Sequence, residues 1–101
     1  MKLNNLSKND LEIIKICLTF SEDERVFPEW EFETLFGISR ELFSAISGEW
    51  PAVDSENQNV EMAVIGCLNN ILGYLHMSDK DWKKNFSFTP DELLEILRKI
   101  E

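Results

Sequence analysis

Signals that start and stop helices recur along this chain at short intervals, and they constrain the fold more than any other feature. Ser7 can cap a first helix, with Asp10 three residues later in its first turn. Apolar residues follow at Leu11, Ile13, Ile14, Ile16, Cys17, Leu18 and Phe20. The polar residues Glu12, Lys15, Thr19 and Glu22 leave only one narrow wet stripe, so this helix is expected to be central. Residues 21–28 read as a loop ending at Pro28, which suits the first position of a second helix over residues 28–36. The segment EWEFE alternates as a strand would, but Thr34-Leu35-Phe36 breaks the alternation and no other segment offers a partner strand.

Gly37 ends the second helix, and Ser39 caps a third from Arg40 to about Ser47, which Gly48 and the Trp50-Pro51 step stop. Ser55 and Gln58 form a capping box for a fourth helix over about residues 56–75. There Val60, Ala63, Val64, Cys67, Leu68, Ile71, Leu72 and Leu75 fall at helical spacing. Ser78 and Asp81 predict a short turn around Trp82. Thr89-Pro90-Asp91-Glu92 starts a last helix carrying Leu93, Leu94, Ile96, Leu97 and Ile100. These signals predict an all-α fold, a single compact bundle of about five helices over residues 1–101.

A chain of 101 residues has room for one core, and three Trp and seven Phe supply the material for it. Its 19 acidic and 10 basic side chains give a net charge of −9. Residues 1–50 hold ten acids against five bases, and residues 51–101 nine against five, so the acidity belongs to the folded body and not to a tail. This balance opposes binding to nucleic acid or an anionic membrane surface and favours a basic protein partner, steered in by charge. Oligomeric state is not encoded in these features. No apolar run marks a leader or a membrane span, and Cys17 and Cys67 stand apart without a CxxC. Buried, reduced thiols in a cytoplasmic protein are the expectation.

Catalytic chemistry finds few residues. The lone His76 lies nine positions after Cys67, two and a half helical turns on, so the two face nearly opposite sides of one helix. One His and two separated Cys give no zinc spacing, and Asp79-Lys80-Asp81 is too short for a calcium loop. The four Gly are too scattered for a phosphate loop. No catalytic residue, cofactor or metal is assigned, and the chain is not expected to be an enzyme.

Residues 32–40, FETLFGISR, have the outline of a helix-turn-helix, yet the second helix would offer a duplex Arg40 alone against Glu41 and Glu49. In the fourth helix Ala63, Gly66, Asn70 and Gly73 share a face. They mark either a close helix–helix approach, with an Asn side chain bonding a neighbouring backbone group, or a groove for a ligand built with Asn69, Asn70, Tyr74 and His76. The last candidate is the acidic aromatic stretch in which Glu22, Asp23, Glu24, Glu29, Glu31 and Glu33 surround Phe27, Trp30 and Phe32. Either its aromatics belong to the core and its carboxylates merely solvate the outside, or Trp30 anchors a partner-binding surface.

The stretch Gly37-Ile38-Ser39-Arg40-Glu41-Leu42-Phe43, the Trp50-Pro51 step, and Asn69-Asn70-Ile71-Leu72-Gly73-Tyr74 with His76 resemble a loose group of small bacterial helical proteins of unassigned function. Leu75 stands where that pattern has Pro. The resemblance, over about residues 37–100, implies helical architecture and a bacterial source and carries no activity.

Overall fold

The structure, a computed structural model, describes all of residues 1–101. It contains six helices and no strand: α1 (Lys8–Ser21), α2 (Glu29–Phe36), α3 (Arg40–Glu49), α4 (Gln58–Asn69), α5 (Asp79–Asn85) and α6 (Pro90–Ile100). The sixth, beyond the expected five or so, is the turn around Trp82 grown into a helix of its own. The end of α4 runs on as a π-helical turn, Asn70–Tyr74.

Caps account for most boundaries. Ser7 Oγ accepts from the Asp10 N–H at 3.0 Å while the Asp10 carboxylate accepts from the Ser7 N–H at 3.1 Å, and Thr89 and Glu92 repeat this reciprocal pair at 3.1 Å each way. Ser39 and Ser78 cap α3 and α5 through the N–H groups of Leu42 and Asp81. Two starts differ from expectation. Pro28 has an extended ψ of 149° and caps α2 from outside, so the first helical residue is Glu29. Asp54 closes its own turn by accepting from the Glu56 N–H at 2.9 Å, which carries the chain past Ser55; Asn57 then caps α4. Gly37 ends α2 at φ +74°, a left-handed conformation that glycine adopts without strain. α3 runs to Glu49, two residues beyond the expected Ser47, and Trp50 then turns its indole N–H onto the Leu11 carbonyl at 3.0 Å.

The core lies around α4, which packs against α1, α2, α3 and α6. Centrality therefore passes from α1 to α4: the apolar surface of α1 exceeds what its neighbours cover, and Ile16 remains 43% exposed. One aromatic cluster joins Phe32, stacked on Phe36 at 4.3 Å, to Phe43 and Phe27 edge-on. A second gathers Trp82, Phe86 and Phe88 with Phe20. No helix is long and apolar enough to cross a membrane.

Candidate interaction surface

Two residues apart on a helix means about 200° around its axis, so Trp30 and Phe32 cannot share a face of α2. Phe32 takes the inner face with Phe36 one turn on, and both are buried. Trp30 is left outside at 81% exposure, while Trp50 and Trp82 are both buried. An exposed indole flanked by carboxylates is the most unusual surface feature of the fold.

Arg40 holds this surface in place. It is the only Lys or Arg between Arg25 and Lys80, and it points inward, its side chain 14% exposed. Its guanidinium donates to the Glu22 carbonyl at 2.7 Å, to the Phe27 carbonyl, and to the Glu29 carboxylate at 2.7 Å. It also covers the Phe32 ring at 4.2 Å. One side chain thus ties the 22–28 loop, the start of α2 and the aromatic core together. The cation a helix-turn-helix would present to a duplex is turned inside the protein, and the exposed side of α3 offers Glu41, Leu42, Ser44, Ala45, Gly48 and Glu49, with no cation among them.

The six carboxylates of the acidic stretch divide into two groups. Asp23 accepts a forked pair of bonds from the Arg25 guanidinium, and these bonds with the Arg25 backbone N–H hold its carboxyl down at about 2. Glu29 is paired with Arg40, and Glu22 lies half-buried with an oxygen 3.5 Å from Ser47 Oγ. Glu24 and Glu33 are exposed and make no ion pair, and Glu31 accepts from the Tyr74 hydroxyl. That bond, with partial desolvation and the Glu31 charge, raises the Tyr74 phenol above its ordinary value. The charge free of ion pairs is therefore carried by Glu24 in the loop and by Glu31 and Glu33, which flank Trp30 along α2.

Tyr74 reaches Glu31 through the π turn, which sequence reading missed. Asn70 Nδ2 donates to the Gly66 carbonyl at 2.8 Å, competing for an acceptor of the helix ladder, and to the Leu35 carbonyl at 3.2 Å. The ladder lengthens at this turn, with the Leu75 N–H on the Asn70 carbonyl at 3.2 Å. The wider turn sets Tyr74 back around the axis, toward α2. Asn followed by Gly73 was the available signal.

The four residues of the suggested ligand groove are not gathered into one. Asn70 is engaged with Leu35 and Gly66 as a structural bond between helices, and Tyr74 is engaged with Glu31. Asn69 is exposed one stripe further round α4, and His76 stands beyond the helix end at φ +47°, also exposed. A groove of about 520 Å³ does exist beside that face, lined by Phe36, Met62, Ile65, Gly66 and Asn69 among others.

Cys17 and Cys67 are free and fully buried. Ser21 Oγ donates to the Cys17 carbonyl at 2.9 Å and lies 3.2 Å from Cys67 Sγ. Burial raises both thiols, that of Cys67 to about 12, so neither supplies a thiolate near neutral pH. The structure gathers no three His, Cys, Asp or Glu side chains to hold a metal. No family model, curated protein or solved structure matches this chain.

Proposed function

We propose that this chain is a protein-binding domain, without catalytic activity, that uses the outer face of α2 to engage a basic protein. Most concretely, it is an immunity protein or antitoxin that neutralises a basic toxin such as a nuclease. The observation that carries this is Trp30, 81% exposed on α2 between Glu31 and Glu33, neither of which is in an ion pair. Exposing an indole forfeits the gain from burying it, and interfaces recover that gain by seating such a ring in a partner. Nucleases are basic because their substrate is anionic, so an acidic inhibitor complements the surface that substrate would use. A cytoplasmic setting fits two free thiols, and the inward turn of Arg40 disfavours nucleic acid.

The test is capture with the tagged full chain from native-host lysate, run in parallel with Trp30→Ala and with the Glu31→Gln, Glu33→Gln double variant. One basic protein is expected on the wild type, released as salt rises. Its affinity should fall about 30-fold or more with Trp30→Ala, the size of a hot-spot loss of about 2 kcal/mol. Addition of the domain should then suppress the toxic activity of the captured protein. Equal capture by all three proteins would refute the assignment of α2 as the binding face.

A further inference from the structure

The inner side of α2 shows how this helix covers an aromatic ring. Glu29 and Phe32 are three residues apart, so they are neighbours on one helix surface. Arg40 lies across both. Its guanidinium stands 4.2 Å from the centre of the Phe32 ring, and its Nε donates to the Glu29 carboxylate at 2.7 Å. A ring and a carboxylate one turn apart thus share one guanidinium, and Phe32 is fully buried.

The outer side carries the same pair in reverse order. Trp30 and Glu33 are also three residues apart, about 60° round the helix axis. A helical side chain leans back over the turn before its own Cα, which brings the Glu33 carboxylate to the level of Trp30. Both are exposed, and Thr34 and Gly37 continue the exposed ridge. Here no cation completes the pair. Arg40 over Phe32 is the only cation–ring contact of the fold, and Glu33 belongs to none of its ion pairs. The nearest cation in sequence on the other side, Arg25, is held by Asp23 at 2.7 Å. Glu29 and Glu33, four residues apart, repel each other, and Arg40 relieves only Glu29.

We propose that Trp30 and Glu33 together seat one arginine side chain of a basic protein partner. Its guanidinium lies flat on the indole and donates to the Glu33 carboxylate, as Arg40 does for Phe32 and Glu29. This deepens the basic-partner reading and rests on it, because it names the side chain that the outer face of α2 recognises. Trp30 is the only large apolar side chain of the ridge, standing among Glu29, Glu33 and Thr34, so whatever meets the ring also meets carboxylate. Charge complementarity therefore selects a cation. The ring selects arginine over lysine: a guanidinium is planar, stacks on an indole, and is less strongly hydrated than an ammonium. Its several donors also reach a carboxylate while the plane covers the ring.

The probes are capped tetra-arginine and tetralysine peptides of equal charge, titrated at low salt into the full chain and followed by backbone amide shifts in NMR. Tetra-arginine should bind at least about three-fold more tightly, the advantage expected of a guanidinium on an exposed indole. It should also move the Trp30 indole N–H signal, which Trp30→Ala identifies. Trp30→Ala and Glu33→Gln should each erase the preference and leave weaker, salt-sensitive binding that is alike for both peptides. Both positions are exposed, so neither change disturbs the core. Glu24→Gln, in the loop before α2, should leave the preference intact.

Equal affinity of the two peptides for the wild type would overturn the arginine seat and leave the basic-partner reading standing. A preference that survives Trp30→Ala or Glu33→Gln would also overturn it, because the guanidinium would then sit elsewhere. Concentration-dependent dimerisation abolished by Trp30→Ala would assign the ridge to a second copy and overturn it too. No binding by either peptide would overturn this proposal and the basic-partner reading together.

Discussion

Replacing Arg40 by Met should be among the most damaging single changes outside the apolar core, although it removes a charged side chain from an acidic protein. Met keeps most of the aliphatic stem, so the loss falls on what the guanidinium does. The Phe27 carbonyl belongs to a fully buried residue and loses its donor, at about 1–3 kcal/mol. The Glu22 carbonyl, nearer solvent, loses its 2.7 Å bond at somewhat less. The cation over Phe32 contributes about 1 kcal/mol when partly desolvated. The Glu29 partner is 68% exposed, so that ion pair adds at most about 1 kcal/mol after screening.

These contributions are not independent, and a net loss of about 3 kcal/mol is the expected result. With a urea slope of about 1.5–2 kcal/mol per molar, the unfolding midpoint should drop by roughly 1.5–2 M. Arg40→Lys should recover less than half of that, since one compact ammonium cannot span two carbonyls, a carboxylate and a ring. A loss below about 1 kcal/mol for Arg40→Met would refute this account. Arg40 would then stand free at the start of α3, and the helix-turn-helix outline would regain its one duplex-facing cation.

The glycines give a contrasting pair. Gly66→Ala should stabilise the protein by about 0.5–1 kcal/mol because a Cβ fits there, whereas Gly37→Ala should cost about 1–2 kcal/mol at φ +74° and push Met62 aside; thermal unfolding of both variants checks the opposite signs. Cys67, with its thiol at about 12, should be roughly 10⁻⁴ thiolate at pH 8. Thiol labelling of the native protein should accordingly be limited by unfolding, and fast labelling of one equivalent would contradict the burial. For Asp10, burial opposes ionisation, but Lys99 Nζ at 3.0 Å and the Ser7 backbone N–H outweigh it and hold the carboxyl below its ordinary value. A lowered folded value means stability that is full above the unfolded value of about 3.9 and is lost as pH falls through the folded one. Lys99→Met should move the Asp10 titration up by NMR and flatten the acid limb of stability, and an unmoved Asp10 would show that the ion pair is idle.

What was legible in the sequence was what acts locally. The caps at Ser7, Ser39, Ser78 and Thr89 each involve one side chain and an N–H three residues on, so residue type and spacing suffice. Where two local candidates compete, as Ser55 and Asn57 do, the winner depends on a turn that Asp54 closes first. The π turn depends on Asn70 reaching across to α2, and the central place of α4 depends on where four other helices go; neither is written within one helix. The acidic stretch was half legible. The 200° between Trp30 and Phe32 already required one to face outward, and Phe36 one turn beyond Phe32 already indicated which. The inward role of Arg40 had a signal too, as the single cation between Arg25 and Lys80. Its target, a pair of carbonyls in the 22–28 loop, exists only once the loop has folded over α3.

The charge and the indole should act on different halves of a binding reaction. A net charge of −9 spread over the whole body attracts a basic partner at long range, and salt screens that attraction beyond about 10 Å at 0.1 M. It should therefore set the association rate. Trp30 acts only on contact, once its ring leaves water, and should set the dissociation rate. With the captured partner immobilised, raising salt from about 0.05 to 0.5 M should slow association at least ten-fold and change dissociation little. Trp30→Ala should speed dissociation at least ten-fold and leave association nearly unchanged. If Trp30→Ala slowed association instead, the indole would belong to an encounter surface and not to a seated anchor. The outer face of α2 would then be the approach to an interface whose contacts lie elsewhere, with the groove at Phe36, Met62 and Ile65 the first place to mutate.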